Sequence, residues 1–160
     1  MDQDARFEDG GEEPLRLMAA TAEDLDVISM LLQDAVFQVS GLSFRRGARQ
    51  FALLLNRFRW EDVPAAERLH RDYERVQAVL AFEDVLGVAS QGIEKSKADV
   101  VMSLLRLDFN PGQDGGGHIE IILAGNGAFR LQVEAINVTL KDVTRPYIAP
   151  SRKMPKHELD

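Results

Sequence analysis

The chain has 160 residues, 45% of them hydrophobic, which is enough for one domain with a buried core and short tails. It has no cysteine, which excludes disulfides, thiolate metal ligands and a cysteine nucleophile, and which suits a reducing cytoplasm. A net charge of −7 opposes nonspecific attraction to nucleic acid or anionic lipid. No apolar run reaches the roughly 18 residues of a membrane-spanning helix.

The charge is unevenly placed. Residues 1–34 hold ten carboxylates against Arg6 and Arg16, whereas residues 45–75 hold eight arginines against five carboxylates. Only that arginine-rich middle keeps RNA binding open as an alternative.

The opening stretch MDQDARFEDGGEEP is acidic and lacks an apolar centre, so it matches neither a secretory signal nor a transit peptide. A cytoplasmic address is the expectation. Residues 1–13 offer too little apolar surface to offset the entropy of ordering and are expected to be a disordered acidic tail. A single domain is expected over 14–145, with an extended or disordered tail over 146–160, where prolines recur without any period.

Residues 15–19, LRLMA, read as a short strand. Thr21 and Asp24 approximate a capping box, and Leu25, Ile28, Leu32 and Ala35 share one helical face. The spacing predicts a helix over about 22–35. The period then changes to alternation: a short strand at VFQV, a kink at Ser40-Gly41, the strand LSF, a turn in RRGAR, and a long strand from about 50 to 60. Phe51, Leu53 and Leu55 face one way while Ala52 and Leu54 face the other, so this strand is expected to be central and covered on both sides through Leu55.

Residues 61–73 contain Pro64 and read as a loop with one or two helical turns from Ala65 to Arg71. Strands follow at 74–82, 85–93 and 100–109. The stretch HIEIILAGNGAFRLQVE is a hairpin around Asn126-Gly127, a pair expected to take positive φ at both turn positions. Residues 133–143 fit a helix face or a strand; their β-branched content favours a strand with a bulge near Ala135. The sum is an α+β fold. One N-terminal helix packs on a curved, mainly antiparallel sheet or partly open barrel of seven to nine strands, because short connections favour antiparallel neighbours.

The long strand ends in NRFRWED. Asn56, Arg57, Arg59 and Trp60 could form a polar rim in which arginine forks onto a carboxylate or phosphate. In the structural reading, which is favoured, the strand end pairs its arginines with Glu61, Asp62 or Glu74. Arg45, Arg46 and Arg49 lie in one turn and Arg68, Arg71 and Arg75 in or near the next loop. If the two loops met, they would make a cationic mouth, with Arg45, Arg49 and Arg71 as its binding candidates. His70, His118 and His157 have no metal-ligand spacing, no Gly-x-Ser-x-Gly occurs, and no glycine-rich stretch opens a helix after a strand. No catalytic residue, metal or cofactor is indicated.

DLDVISMLLQDAVFQVSGLSF, RQFALLLNRFRWE and IEIILAGNGAFRLQVEAINVTLKDV together resemble a family of uncharacterised alphaproteobacterial proteins of unknown function. The likeness covers about residues 14–145, is densest at Gln33, Asp34, Asn56, Arg57 and Trp60, and extends to the closing HELD. It implies a small cytoplasmic protein and transfers no activity, ligand or site. The functional expectation is therefore a non-catalytic binding or interaction domain, with a protein partner or a homodimer joined through a strand edge. The alternative is a small anionic ligand, or an enzyme site, at the arginine-lined end.

Overall fold

The computed structural model describes residues 13–94, 96–97, 99–149 and 154–155. The expected N-terminal tail, apart from Glu13, and most of the residues beyond 149 lie outside that set. In chain order the elements are β1 (Arg16–Ala19), α1 (Ala22–Leu31), β2 (Val36–Gln38), β3 (Leu42–Arg45), β4 (Gln50–Phe58), α2 (Val63–Arg68), β5 (Glu74–Phe82), β6 (Val85–Gln91), β7 (Val101–Pro111), β8 (Gly117–Leu123), β9 (Ala128–Val133), β10 (Val138–Asp142) and β11 (Tyr147–Ile148).

The strands follow the order β1-β10-β5-β4-β2-β7-β8-β9-β6, with β3 also on β4 and β11 also on β5. All the pairings are antiparallel, and the sheet is not closed. The mainly antiparallel α+β architecture is as expected, but the described residues form eleven strands and two α-helices instead of seven to nine strands and one helix. The kink expected at Ser40-Gly41 is a 3-10 turn at Val39–Gly41 that separates β2 from β3. The strand not anticipated is the two-residue β11, which adds to β5 beyond the end of β10. The extra helix α2 incorporates Pro64 in its first turn, where a missing N–H breaks no helical bond.

Helix α1 is capped by Thr21, whose hydroxyl accepts from the Asp24 N–H at 3.1 Å. It ends earlier than the apolar spacing suggested. Asp34 adopts φ 64°, its N–H donates to the Leu104 carbonyl, and the Ala35 carbonyl accepts from Leu104, both at 2.8 Å. The backbone at 34–35 thus joins β7 instead of prolonging the helix.

The hydrophobic core lies between the inner faces of two sheet layers. One layer is β1, β10, β5, β4 and β3, contributing Leu53, Leu80 and Leu140; the other is β7, β8, β9 and β6, contributing Ile119, Ile121 and Leu131. Leu25, Ile28 and Leu32 insert from the helix side. β5 and β6 do not pair: Asp84, at φ 58°, sends β6 into the second layer against β9. Two further details differ from expectation. The β8–β9 turn takes its positive φ at Gly125 and Asn126, with Gly127 at φ −85°. And β4 is not covered on both faces through Leu55, since Leu54 on the outer face is 45% exposed, although Phe58 farther along that face is buried.

Candidate functional site

Arg57 continues the inward row Phe51–Leu53–Leu55 of β4 and is fully buried, with none of its surface exposed. Its Nε and Nη2 donate to Oδ1 and Oδ2 of Asp142 at 3.0 Å each. Nη1 and Nη2 donate to the two oxygens of Glu61 at 2.9 and 2.7 Å, and Nη1 also lies 3.4 Å from the Phe58 carbonyl. These contacts occupy all five N–H groups of the guanidinium. Asp142 Oδ2 additionally accepts the Leu15 N–H at 3.0 Å, so the cluster ties β4 to β10, to the chain entering β1 and to the turn at 60–62.

Burial is the largest influence on the Arg57 pKa and lowers it. The hydrogen bonds and charges of Glu61 and Asp142 outweigh it, and the value ends above the ordinary one. Glu61 is the mirror case. Burial pushes its carboxyl up, but Arg57 and then Arg59 pull it below the ordinary value of 4.5.

Arg59 is also buried. It pairs with Glu74 and lies 3.5 Å from Asp62, whose carboxylate receives a two-bond fork from Arg71 at 2.6 and 3.0 Å. Trp60 donates its Nε1–H to the Gln33 carbonyl at 3.0 Å and packs edge-on against Phe58, with ring centres 4.6 Å apart. The strand end therefore pairs its arginines with Glu61, Asp62 and Glu74, as the structural reading anticipated, and the indole serves as a strut to the turn after α1.

The cationic mouth does not assemble. Arg45 and Arg49 lie at the β3–β4 turn beside Gln50, and Arg71 lies beyond Phe58; nine strand residues separate them, about 30 Å at roughly 3.3 Å per residue. The turn arginines also have local partners, Gln50 for Arg45 and Glu134 for Arg49.

Asn56 points to the outer face, away from the core. Its Oδ1 accepts from Arg75 Nη1 at 3.2 Å, and its Nδ2 donates to the Tyr147 hydroxyl. Arg75 stands opposite Phe58 on β4 and opposite Tyr147 on β11, with its guanidinium 5.9 Å from the Phe58 ring centre. Arg75 forms no salt bridge among the described residues, unlike Arg57, Arg59 and Arg71. Burial draws its pKa below the ordinary value, partly offset by Tyr147 and Asp34. Beside Asn56 is a groove of about 340 Å³ whose walls include Val36, Gln38, Leu54 and Gln77.

The register places these groups on one surface. Met18, Thr139, Ala81, Ala52 and Ser43 form one row across the outer face of the first layer; Arg16, Lys141, Val79 and Leu54 form the next. Met18, Leu54, Val143 and Tyr147 on this side are 69%, 45%, 48% and 37% exposed. From the Met18 row to the Arg75 row, the paired strand residues on this face include Arg16, Lys141 and Arg75 and no carboxylate. The other layer's outer face is different: Asp108, Glu120 and Arg130 lie in one row and Asn110, His118 and Gln132 in the next. Among the described residues, no group of three or more His, Asp or Glu side chains is placed to hold a metal.

Sequence reading found Asn56 and the arginine cluster but missed the apolar outer face and the roles of Arg75 and Tyr147. The period-2 pattern held a signal for the face, since Ala52 and Leu54 are apolar on the side opposite Leu53. It could not say whether that side was covered. No curated protein and no solved structure matches the chain. A family model described as "Protein of unknown function (DUF2948)" matches residues 15–157, nearly the whole length, and the chain therefore belongs to the DUF2948 family.

Proposed function

We propose that the protein is a non-catalytic interaction domain that receives an acidic protein partner on the outer face of the β3–β4–β5–β10–β1 layer. One observation carries this reading. Among the described residues, Met18, Leu54, Val143 and Tyr147 are exposed on a single sheet face. Scattered apolar residues on a surface need no explanation, but several on one face bordered by polar groups favour an interface. The charges favour an acidic partner. Arg16 and Lys141 are direct neighbours across β1 and β10, and an opposing carboxylate would relieve their mutual repulsion. A second copy packed face to face would instead set cations against cations.

The buried arginines support the same reading by exclusion. Arg57 spends every donor on its own chain, so the end of β4 offers no free Arg57 donor to a partner. The test is capture from cell extract on immobilised wild-type protein, Leu54→Glu and Arg130→Glu, the last on the opposite layer. The reading predicts a protein retained by wild type and Arg130→Glu, lost with Leu54→Glu, and eluted by added salt. Equal retention by all three proteins would refute it.

A further inference from the structure

We infer that Arg75, Asn56 and Tyr147 form a carboxylate-binding subsite, with the adjoining groove taking the apolar remainder of a small organic acid. The argument starts from donor inventory. Arg75 Nη1 is engaged by the Oδ1 and backbone oxygen of Asn56, at 3.2 and 3.4 Å. Its Nε and Nη2 meet no acceptor among the described residues, and neither is among the enclosed, unbonded polar atoms. Nε and Nη2 form the side edge of the guanidinium fork, which matches the two oxygens of a carboxylate. Arg57 uses that same edge to grip Asp142 within this fold. Arg75 leaves it without an acceptor among the described residues.

The neighbours hold this edge in place. The Asn56 amide is fixed at both ends, accepting from Arg75 through Oδ1 and donating to the Tyr147 oxygen through Nδ2. Because the Tyr147 oxygen is the acceptor in that bond, its O–H remains able to donate to a ligand. Asn56 is thus a positioning residue for two donors, and the Phe58 ring backs the guanidinium. Partial burial makes the Arg75 cation costly to hold in isolation, and an incoming anion offsets that cost.

Charge sets the ligand class. A single cation faces the subsite, and Asp34 already acts on it electrostatically. A monoanion is favoured over a phosphate dianion on that balance. Size follows from the groove, whose volume of about 340 Å³ lies near the lower end of small-molecule sites. Val36 and Leu54 supply apolar contact there, and Gln38 and Gln77 supply amides. The inference goes beyond the docking surface proposed above, because a free acid would fill the subsite with no protein partner present.

The experiment titrates sodium butyrate, butyramide and methyl phosphate into ¹⁵N-labelled full-length protein, followed by amide and side-chain resonances. Saturable butyrate shifts centred on Asn56, Arg75 and Gln77 are expected, with none from butyramide. Arg75→Gln is expected to weaken butyrate binding at least about tenfold, the loss typical of a charge-assisted pair of hydrogen bonds. Tyr147→Phe, which keeps the ring, is expected to weaken it about three- to tenfold. Equal shifts from butyramide, or butyrate shifts untouched by either substitution, would overturn the subsite. Tighter binding of methyl phosphate than of butyrate would overturn the monoanion assignment. The butyramide comparison uses wild-type protein alone, so it holds even if Arg75→Gln fails to fold. Partner capture and butyrate binding are separate measurements, and either can fail without the other.

Discussion

Arg57 and Asp142, 85 positions apart in the chain, meet inside the protein through two parallel hydrogen bonds of 3.0 Å. One residue ends the inward row of β4 and the other ends β10. Glu61 completes the cluster from the turn that follows β4. An ion pair taken out of water gains little net stability, because desolvation offsets most of the attraction, yet removing one partner strands a buried charge.

Arg57→Met is therefore expected to cost about 3–5 kcal/mol in unfolding free energy, by leaving Asp142 charged and unpaired. The double variant Arg57→Met/Asp142→Leu should recover part of that loss, since it removes the two buried charges while Glu61 keeps Arg59 beside it. Urea denaturation of the wild type, both single variants and the double variant measures the coupling. Additive losses would contradict the pairing.

Acid should weaken the fold through Glu61. Its folded pKa lies below the ordinary 4.5, so the charged form is favoured in the native state. That contribution is fully present above about pH 4.5 and is lost as pH falls through the lower folded value. Thermal stability measured from neutral pH to about pH 3 should drop less steeply for Glu61→Gln than for wild type. Parallel curves would show that Glu61 is not the group responsible.

Trp60 is the single tryptophan of the chain, which makes it a clean reporter. Trp60→Phe retains an aromatic ring against Phe58 and loses the bond to the Gln33 carbonyl. A cost of about 1 kcal/mol is expected from that lost hydrogen bond alone. Intrinsic fluorescence of the wild type should shift to the red in step with unfolding followed by circular dichroism. A transition at 60 that precedes global unfolding would mean that the strut is not part of the cooperative fold.

Gly41 tests how β4 is approached. A Cβ at this position would come within 3.0 Å of the Leu54 carbonyl oxygen, a backbone atom that cannot swing aside. Gly41→Ala is expected to cost about 1–3 kcal/mol, in the range of overpacked positions, and to speed amide exchange in β2 and β3. Gly47→Ala is the control, because nothing lies within 4 Å of its added carbon.

Much of the fold is written locally. Alternation marks β4, β5, β8 and β9, and Thr21 with Asp24 marks the start of α1, because those signals depend on neighbours in sequence. The early end of α1 is not local: the backbone at Asp34 and Ala35 is claimed by Leu104, some seventy positions away. The break between β2 and β3, by contrast, is written locally as the kink at Ser40-Gly41.

The site was half legible for the same reason. Arg57 and Arg59 were visible as a strand end rich in cations, and Glu61, Asp62 and Glu74 were near enough in sequence to be matched to them. Asp142 was out of reach, since its inward direction depends on the register Asp142–Ala78 across β10 and β5. Tyr147 was read as tail because Pro146 precedes it and no period surrounds it, whereas β5 extends past β10 and gives it a place opposite Arg75. Opposite ends of one strand looked like one mouth because a list of arginines does not contain the length of β4.

The most direct test of the outer face as the interaction surface is site-specific photo-crosslinking in living cells. A benzophenone amino acid would replace Leu54 on that face or Ile122 on the polar face of the opposite layer. A discrete crosslinked product, to an acidic protein, from position 54 and none from position 122 is the predicted result. Products from position 122 alone, or the same products from both positions, would contradict the assignment.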